Sequence, residues 1–446
     1  MASPSSGNPN LVWQIPLKLG ADVTISTSGR QMQLQAPIDL VTDTLTLDTE
    51  GDLVIAGVVS GAGNLIKNNG SALTINSTNT YTGTTISNRG ALYISNPAAF
   101  GSAVGGTTFT GGFLGFSGST FVLAEPLLFT GGGILAYGTP TIQSDITLDT
   151  TIGIEAFEAQ TTITIGGAIS GAGGFNKTGP GRVVLNGATK LYAGATMVTE
   201  GTLQLDANLA STNPVTVNSG GTLSGNRSTG GTIVVKNGGI VAPGSSPGQI
   251  TGAGLTMSPG ATFAAEIAGP DVNQYDQIAL IGGGDLDGAT LAVSLSYSPP
   301  DGQAFALISK QGAQPLNGAF ASLDEGATFQ IGGTTFAITY KGGSGNDVIL
   351  TAGGTPLPTS TATAVPTTTP TATSTPVPTA TVALSLCTGD CDDSGIPTVE
   401  EIVYGVILLR SQATTQSCAR FDTDPDDHVS LGEVLAAVGA ALAGCE

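Results

Sequence analysis

The 446-residue sequence carries 66 glycines, 13 lysines and arginines against 33 aspartates and glutamates, and a formal charge of −20. That surplus of carboxylates excludes nucleic acid and anionic membrane as partners, because both require clustered cations to displace counterions. Charged residues make up 10% of the chain and apolar ones 40%, against about 25% charged in ordinary domains, so a core of aliphatic ladders is expected rather than disorder.

The first twenty residues lack the basic segment and long apolar run of a secretory signal. No apolar run reaches the roughly 18 to 20 residues of a membrane-spanning helix, so neither an intact leader nor a transmembrane segment is expected. From there to residue 352, short runs alternate apolar and polar side chains as half-buried strands do: Leu45–Asp48, Leu53–Ile55, Leu73–Ile75, Ile163–Ile165, Val183–Leu185 and Leu203–Leu205. Glycine and asparagine recur between them about every 8 to 12 residues and supply turns with positive φ, the pattern of a sandwich, a barrel or a stacked parallel solenoid.

An internal repeat narrows that choice. The stretch at about 60–95 returns at about 170–205: Lys67 recurs as Lys177, Leu73 as Val183, Ile75 as Leu185, Tyr81 as Tyr192, Gly83 as Gly194, Gly90 as Gly201 and Leu92 as Leu203. These segments resemble the passenger-associated repeats of bacterial autotransporters, with their G-x-L-x-K-x-G, L-x-L, N-x-Y-x-G-x-T and G-x-L-x-L blocks. The stretch from Ile240 to about residue 352 resembles the end of such passengers. The resemblance implies a right-handed parallel β-helix (a β-solenoid) over residues 1–352. A complete autotransporter would continue into an outer-membrane barrel; none follows here, and self-translocation is not expected of this chain.

Residues 353–386 are dominated by proline and threonine. Proline fixes φ and removes donors, so this segment is expected to be a semi-rigid spacer of about 3.1 Å per residue, with a reach of order 90 Å.

Residues 387–446 carry the chemistry. Calcium takes six to eight oxygens, and a twelve-residue loop delivers them from positions 1, 3, 5, 7, 9 and 12. One loop offers Asp390, Asp392, Ser394, the Ile396 carbonyl, Thr398 and Glu401; a second offers Asp422, Asp424, Asp426, the His428 carbonyl, Ser430 and Glu433. After each loop an apolar face recurs at helical spacing, Ile402, Val403, Val406 and Leu409 in one unit and Val434, Leu435, Val438 and Ala441 in the other. A duplicated loop–helix unit of this kind points to Ca2+, since clustered carboxylates without a cation repel one another. The second loop has more carboxylates and is expected to bind more strongly, although Asp427 stands where glycine usually makes the turn. His428 contributes its backbone, so catalysis is not expected of its ring.

With no helix before the first loop, the unit resembles dockerin modules, which implies a docking partner. Glu401 and Glu433 depart from the aspartate usual there. All four cysteines, Cys387, Cys391, Cys418 and Cys445, fall in this segment. Their even number favours disulfides in an oxidising, extracytoplasmic setting; free thiols or a zinc site are the alternative. Three pairings are possible. With the helices antiparallel, Cys445 is expected to bond Cys387 or Cys391, leaving the other to Cys418.

An enzyme would need clustered acids with a base. The densest acidic stretch, Asp271, Asp276, Asp285 and Asp287, coincides with glycine-rich segments and reads as turn chemistry. The sequence therefore describes a mainly β chain: a parallel β-helix, a spacer and a small α-helical EF-hand-type domain. The expected role is a secreted or cell-surface non-catalytic adhesion or scaffold protein, with a carbohydrate or host-surface ligand for the β-helix and a protein partner for the C-terminal module. The alternative is a carbohydrate-active β-helix enzyme, a lyase or hydrolase, with a dockerin-like appendage.

Overall fold

A computed structural model of the chain describes residues 11–117, 120–312 and 315–354, and in the C-terminal segment residues 388–390, 397, 401–402 and 429–443. It divides into two compact units, Met1–Ala364 and Val365–Glu446.

The first unit is a parallel β-helix of about 12 turns. Each alternating run pairs in register with its counterpart one coil later: Leu53–Ile55 with Leu73–Ile75, then Ala91–Ile94, Phe113–Ser117, Gly133–Tyr137 and Ile152–Ala156. The coils climb by one strand spacing, about 4.8 Å. Because side chains alternate across a strand, the inward positions line up between coils into continuous ladders. One ladder runs Leu53, Leu73, Leu92, Leu114, Ile134, Ile154, then Lys177, Val198, Val217 and Val235. Its aliphatic members are at most 2% exposed. Phe109 and Phe129 stack on adjacent rungs of another ladder with centroids 4.9 Å apart.

Lys177 stands in the middle of an aliphatic ladder, and its sequence counterpart Lys67 stands between Leu47 and Ser87 in another. The structure accounts for the recurrence of this lysine. The Lys177 ammonium donates to the carbonyls of Thr178 at 2.9 Å, Gly179 at 2.6 Å and Glu200 at 2.9 Å. Lys67 donates to Asn69 O and, at 2.6 Å, to Arg89 O. Each turns a lysine into an internal tie between successive corners of the coil. The repeat glycine belongs to the same device: Gly201 has φ +67°, and a Cβ there would sit 2.8 Å from Lys177 Nζ and 2.4 Å from Gly181 O. Only glycine lets the backbone pass so close at positive φ. The repeat tyrosines are fully buried, Tyr81 meeting Thr85 Oγ1 at 2.5 Å and Tyr192 meeting Thr196 Oγ1.

The expected parallel β-helix does not run unbroken to residue 352. After Ala304–Lys310 the strands Thr328–Ile331, Thr334–Gly342 and Asp347–Ala352 pair antiparallel. The cause is local: Gly332 and Gly333 both take positive φ, 56° and 88°, between two alternating runs. Two such residues make the tight turn whose twist matches a hairpin.

One buried acid gives this unit a pH dependence. Glu125 is 5% exposed and accepts from Thr107 Oγ1 at 3.0 Å. Burial pushes its carboxyl from 4.5 up to about 7, against the opposing Thr107 bond. Between those values the native state holds the extra proton, so Glu125 favours folding below pH 4.5 and that contribution is lost as pH rises through 7. Glu125→Gln keeps an acceptor for Thr107 without the charge. It should match the wild type at pH 4 and exceed it at pH 8 by about 1 kcal/mol, discounting for solvent screening, as read by thermal unfolding at both pH values.

In the second unit, the helix Leu431–Ala443 follows the second loop. Ser430 and Glu433 form its reciprocal cap: Ser430 N donates to Glu433 Oε2 at 2.8 Å and Glu433 N to Ser430 Oγ at 3.3 Å. Val434 and Ala437 are buried and Leu435 is 60% exposed, so the inward face is turned from the one expected and Leu435 leaves it. Spacing alone had put two adjacent residues, Val434 and Leu435, on one stripe, and a helix can turn only one of them fully inward.

Candidate functional site

The predicted calcium ligands are placed unevenly. Asp390 is 3% exposed and Glu433 5% exposed, Ser430 caps the helix, and Glu401 is helical. Asp392, Ser394, Ile396, Thr398, Asp422, Asp424, Asp426 and His428 lie outside the described residues, as do Cys387, Cys391, Cys418 and Cys445. Among the described residues no cluster of metal-ligating side chains is found.

A groove of about 750 Å³ runs along one outer sheet face of the first unit. Its floor is built by the same alternation that builds the core, read on the outward positions. Gln204 pairs with Ser224 and Ser224 with Ala242 on consecutive coils; Ala264 and Ala292 pair on the two that follow. Beside this column Arg182, Thr202 and Thr222 form a second one. Five rungs at the strand spacing make a strip of about 20 Å.

One wall is the loop Gly244–Gly248. Gly244 and Gly225 exchange backbone hydrogen bonds at 2.7 and 3.1 Å at its root, and Ser246 takes φ +74° at its crest. Ser246 Oγ donates to Glu266 Oε2. Gln204 Nε2 reaches Ser245 Oγ at 3.1 Å and Asp206 Oδ2 at 2.7 Å, while Arg182 Nη1 donates to Gln204 Oε1.

Asp276 anchors that wall. It is 5% exposed, its Oδ1 accepting from Gly248 N at 2.8 Å and its Oδ2 from Glu266 N at 2.9 Å. Burial pushes its carboxyl up to about 6, more than the two backbone bonds pull it down. Asp276 is therefore not the turn residue that its glycine-rich surroundings indicated; it is a buried clamp between wall and sheet. Asp285 does fit a turn, its Oδ1 accepting from Asp287 N at 3.2 Å, and Asp271 opens the short helical turn Val272–Gln274. The groove thus holds two carboxylates, both engaged in holding the wall.

Residues 65–94 and 175–205 match the Passenger-associated-transport-repeat family. The second match contains Arg182, Thr202 and Gln204, so the groove begins on a repeat. The chain is also similar to the "Adhesin BmaC autotransporter" of Brucella suis biovar 1 (strain 1330), 31% identical over 244 residues. That alignment takes in 52% of this chain and 7% of the relative, so the chain spans a small part of the length of the protein it matches. The β-helix thus contains two segments that match passenger repeats and a stretch similar to part of an autotransporter adhesin. Among the described residues no helix is long and apolar enough to cross a membrane.

Proposed function

We propose that this is a secreted or cell-surface, non-catalytic adhesin-like protein whose β-helix binds a surface ligand, with a C-terminal module that docks to a protein partner when calcium is bound. The observation that carries the adhesin reading is the pair of passenger repeats set in a continuous parallel β-helix similar to part of an adhesin. The groove supports it: most of its outward side chains are small or hydroxylated, suited to contact rather than chemistry. Neither carboxylate is poised as acid or base, because Asp276 spends both oxygens on backbone N–H groups and Glu266 takes Ser246.

For the C-terminal module, two of the expected calcium ligands support the reading. Asp390 and Glu433 are carboxylates withdrawn from solvent, and a hard cation is the counter-ion such oxygens suit. Bound calcium would supply the charge that draws the two loops together; Ser430 and Glu433 would hold the exiting helix at the loop end.

The adhesin reading is tested with labelled full-length chain on fixed eukaryotic cells and on bacterial surfaces. Saturable binding to a surface, with no release of reducing sugar from polysaccharides, is expected. Absence of saturable binding to either, or sugar release, would overturn it.

A further inference from the structure

We propose that the groove over Gln204, Ser224, Ala242, Ala264 and Ala292 is a cleft for a neutral glycan chain laid along the axis of the β-helix. This rests on the adhesin reading and names its ligand class and its site.

Three observations lead to that class. First, the floor strands up to Thr262–Ile267 are each paired with the coil before and the coil after, and the last, Thr290–Leu295, is the edge of this sheet. An extended peptide could add through main-chain hydrogen bonds only along that edge, across the β-helix axis, so a ligand laid along the axis over the floor is recognised by side chains.

Second, charge selects against anions. The lining holds one cation, Arg182, already donating to Gln204, and two carboxylates, Glu266 and Asp276, with Asp206 bonded to Gln204 behind them. On a chain of formal charge −20, uronates, sulfated glycans and other polyanions meet repulsion.

Third, the surface chemistry is that of a hydroxylated ligand. Serine and threonine hydroxyls both donate and accept, as sugar hydroxyls do. They flank a strip of alanines flat enough for the C–H face of a pyranose ring. The lining contains no aromatic and no leucine or isoleucine to hold a lipid chain. A strip of about 20 Å with one position per coil suits a polymer of about four units in register with the 4.8 Å rise. Without a ring to stack on, each site is weak, and binding to a surface would gain from several copies engaging at once.

The test is the full-length chain on an array of neutral polysaccharides (mannan, dextran, galactan) and anionic ones (polygalacturonate, heparin). Expected is binding to at least one neutral polysaccharide, retained in about 0.5 M salt, where exposed charge pairs are screened. Ala264→Trp points outward into the groove and should cut that binding about tenfold; Gln204→Ala, which removes one polar contact without filling space, should cut it about threefold, the scale of one hydrogen bond. Thermal unfolding of each variant reports that the coil is intact, and Gln204→Ala carries the test if Ala264→Trp does not fold. Binding confined to the anionic polysaccharides overturns the inference, as does neutral binding untouched by the folded variants. A silent array with persisting saturable cell-surface binding overturns the glycan assignment and leaves the adhesin reading standing; loss of both overturns both.

Discussion

Lys177→Met should be among the most damaging single substitutions in the β-helix, costing about 3 kcal/mol or more. Methionine matches the length and apolar stem of lysine, so little packing is lost. What disappears is the donor to three carbonyls at 2.6 to 2.9 Å, in a site where lysine is fully buried. A buried carbonyl left without its partner bears the desolvation cost of about 1–3 kcal/mol with nothing in return. Burial lowers the Lys177 ammonium to about 8, so at neutral pH most of the chain still carries the proton these bonds require. Lys67→Met should do the same on a smaller scale, with two carbonyls released rather than three. Lys236→Met, at an exposed position, should change nothing measurable. In a solenoid each coil depends on its neighbours, so the damage should be local first. Hydrogen exchange should show faster opening of 175–205 than of 215–267 in Lys177→Met, together with a lower unfolding midpoint. Wild-type exchange and midpoint would show the tie to be dispensable.

That lysine also marks the boundary of what the sequence discloses. Inward and outward alternation is a local property, so Leu53–Ile55, Leu73–Ile75 and Leu203–Leu205 could be read directly as strands. Lys67 and Lys177 were visible as recurring residues, but a lysine inside an alternating run reads as an outward position by polarity alone. Only the carbonyls of Gly179 and of Glu200, the latter 23 residues beyond Lys177 and one coil later, reveal that the rung faces in. The groove was hidden for a related reason. Its floor takes one outward residue from each of five coils, and no window of sequence brings Gln204 near Ala292. Asp276 misled because glycine-rich surroundings accompany both turns and tight corners; its burial depends on Gly248 and Glu266, each reached through the fold. The antiparallel end, by contrast, carried a legible signal in Gly332–Gly333, outweighed by the resemblance of the whole region to a passenger.

Calcium titration of the oxidised full-length chain should give heat of binding that Glu433→Gln reduces more than Glu401→Gln. The second loop places Asp422, Asp424 and Asp426 at its first three ligand positions, against Asp390, Asp392 and Ser394 in the first, and affinity rises with ligand charge. Glu433 has a second occupation that must be separated from metal binding, since its side chain caps the helix through Ser430 N. Glutamine serves the reciprocal cap nearly as well as glutamate, so Glu433→Gln preserves the cap and removes only the charge. If capping were its whole role, the variant would melt like the wild type with calcium and with chelator alike. If it ligates, the two proteins should melt together in chelator and diverge once calcium is added, with the variant's affinity about tenfold lower or worse. Reductant adds the last discrimination: where the cysteines flanking the loops pre-order them, reduction should weaken binding by raising the entropy of the unbound chain. No heat of binding under oxidising conditions would remove calcium from the account of this module.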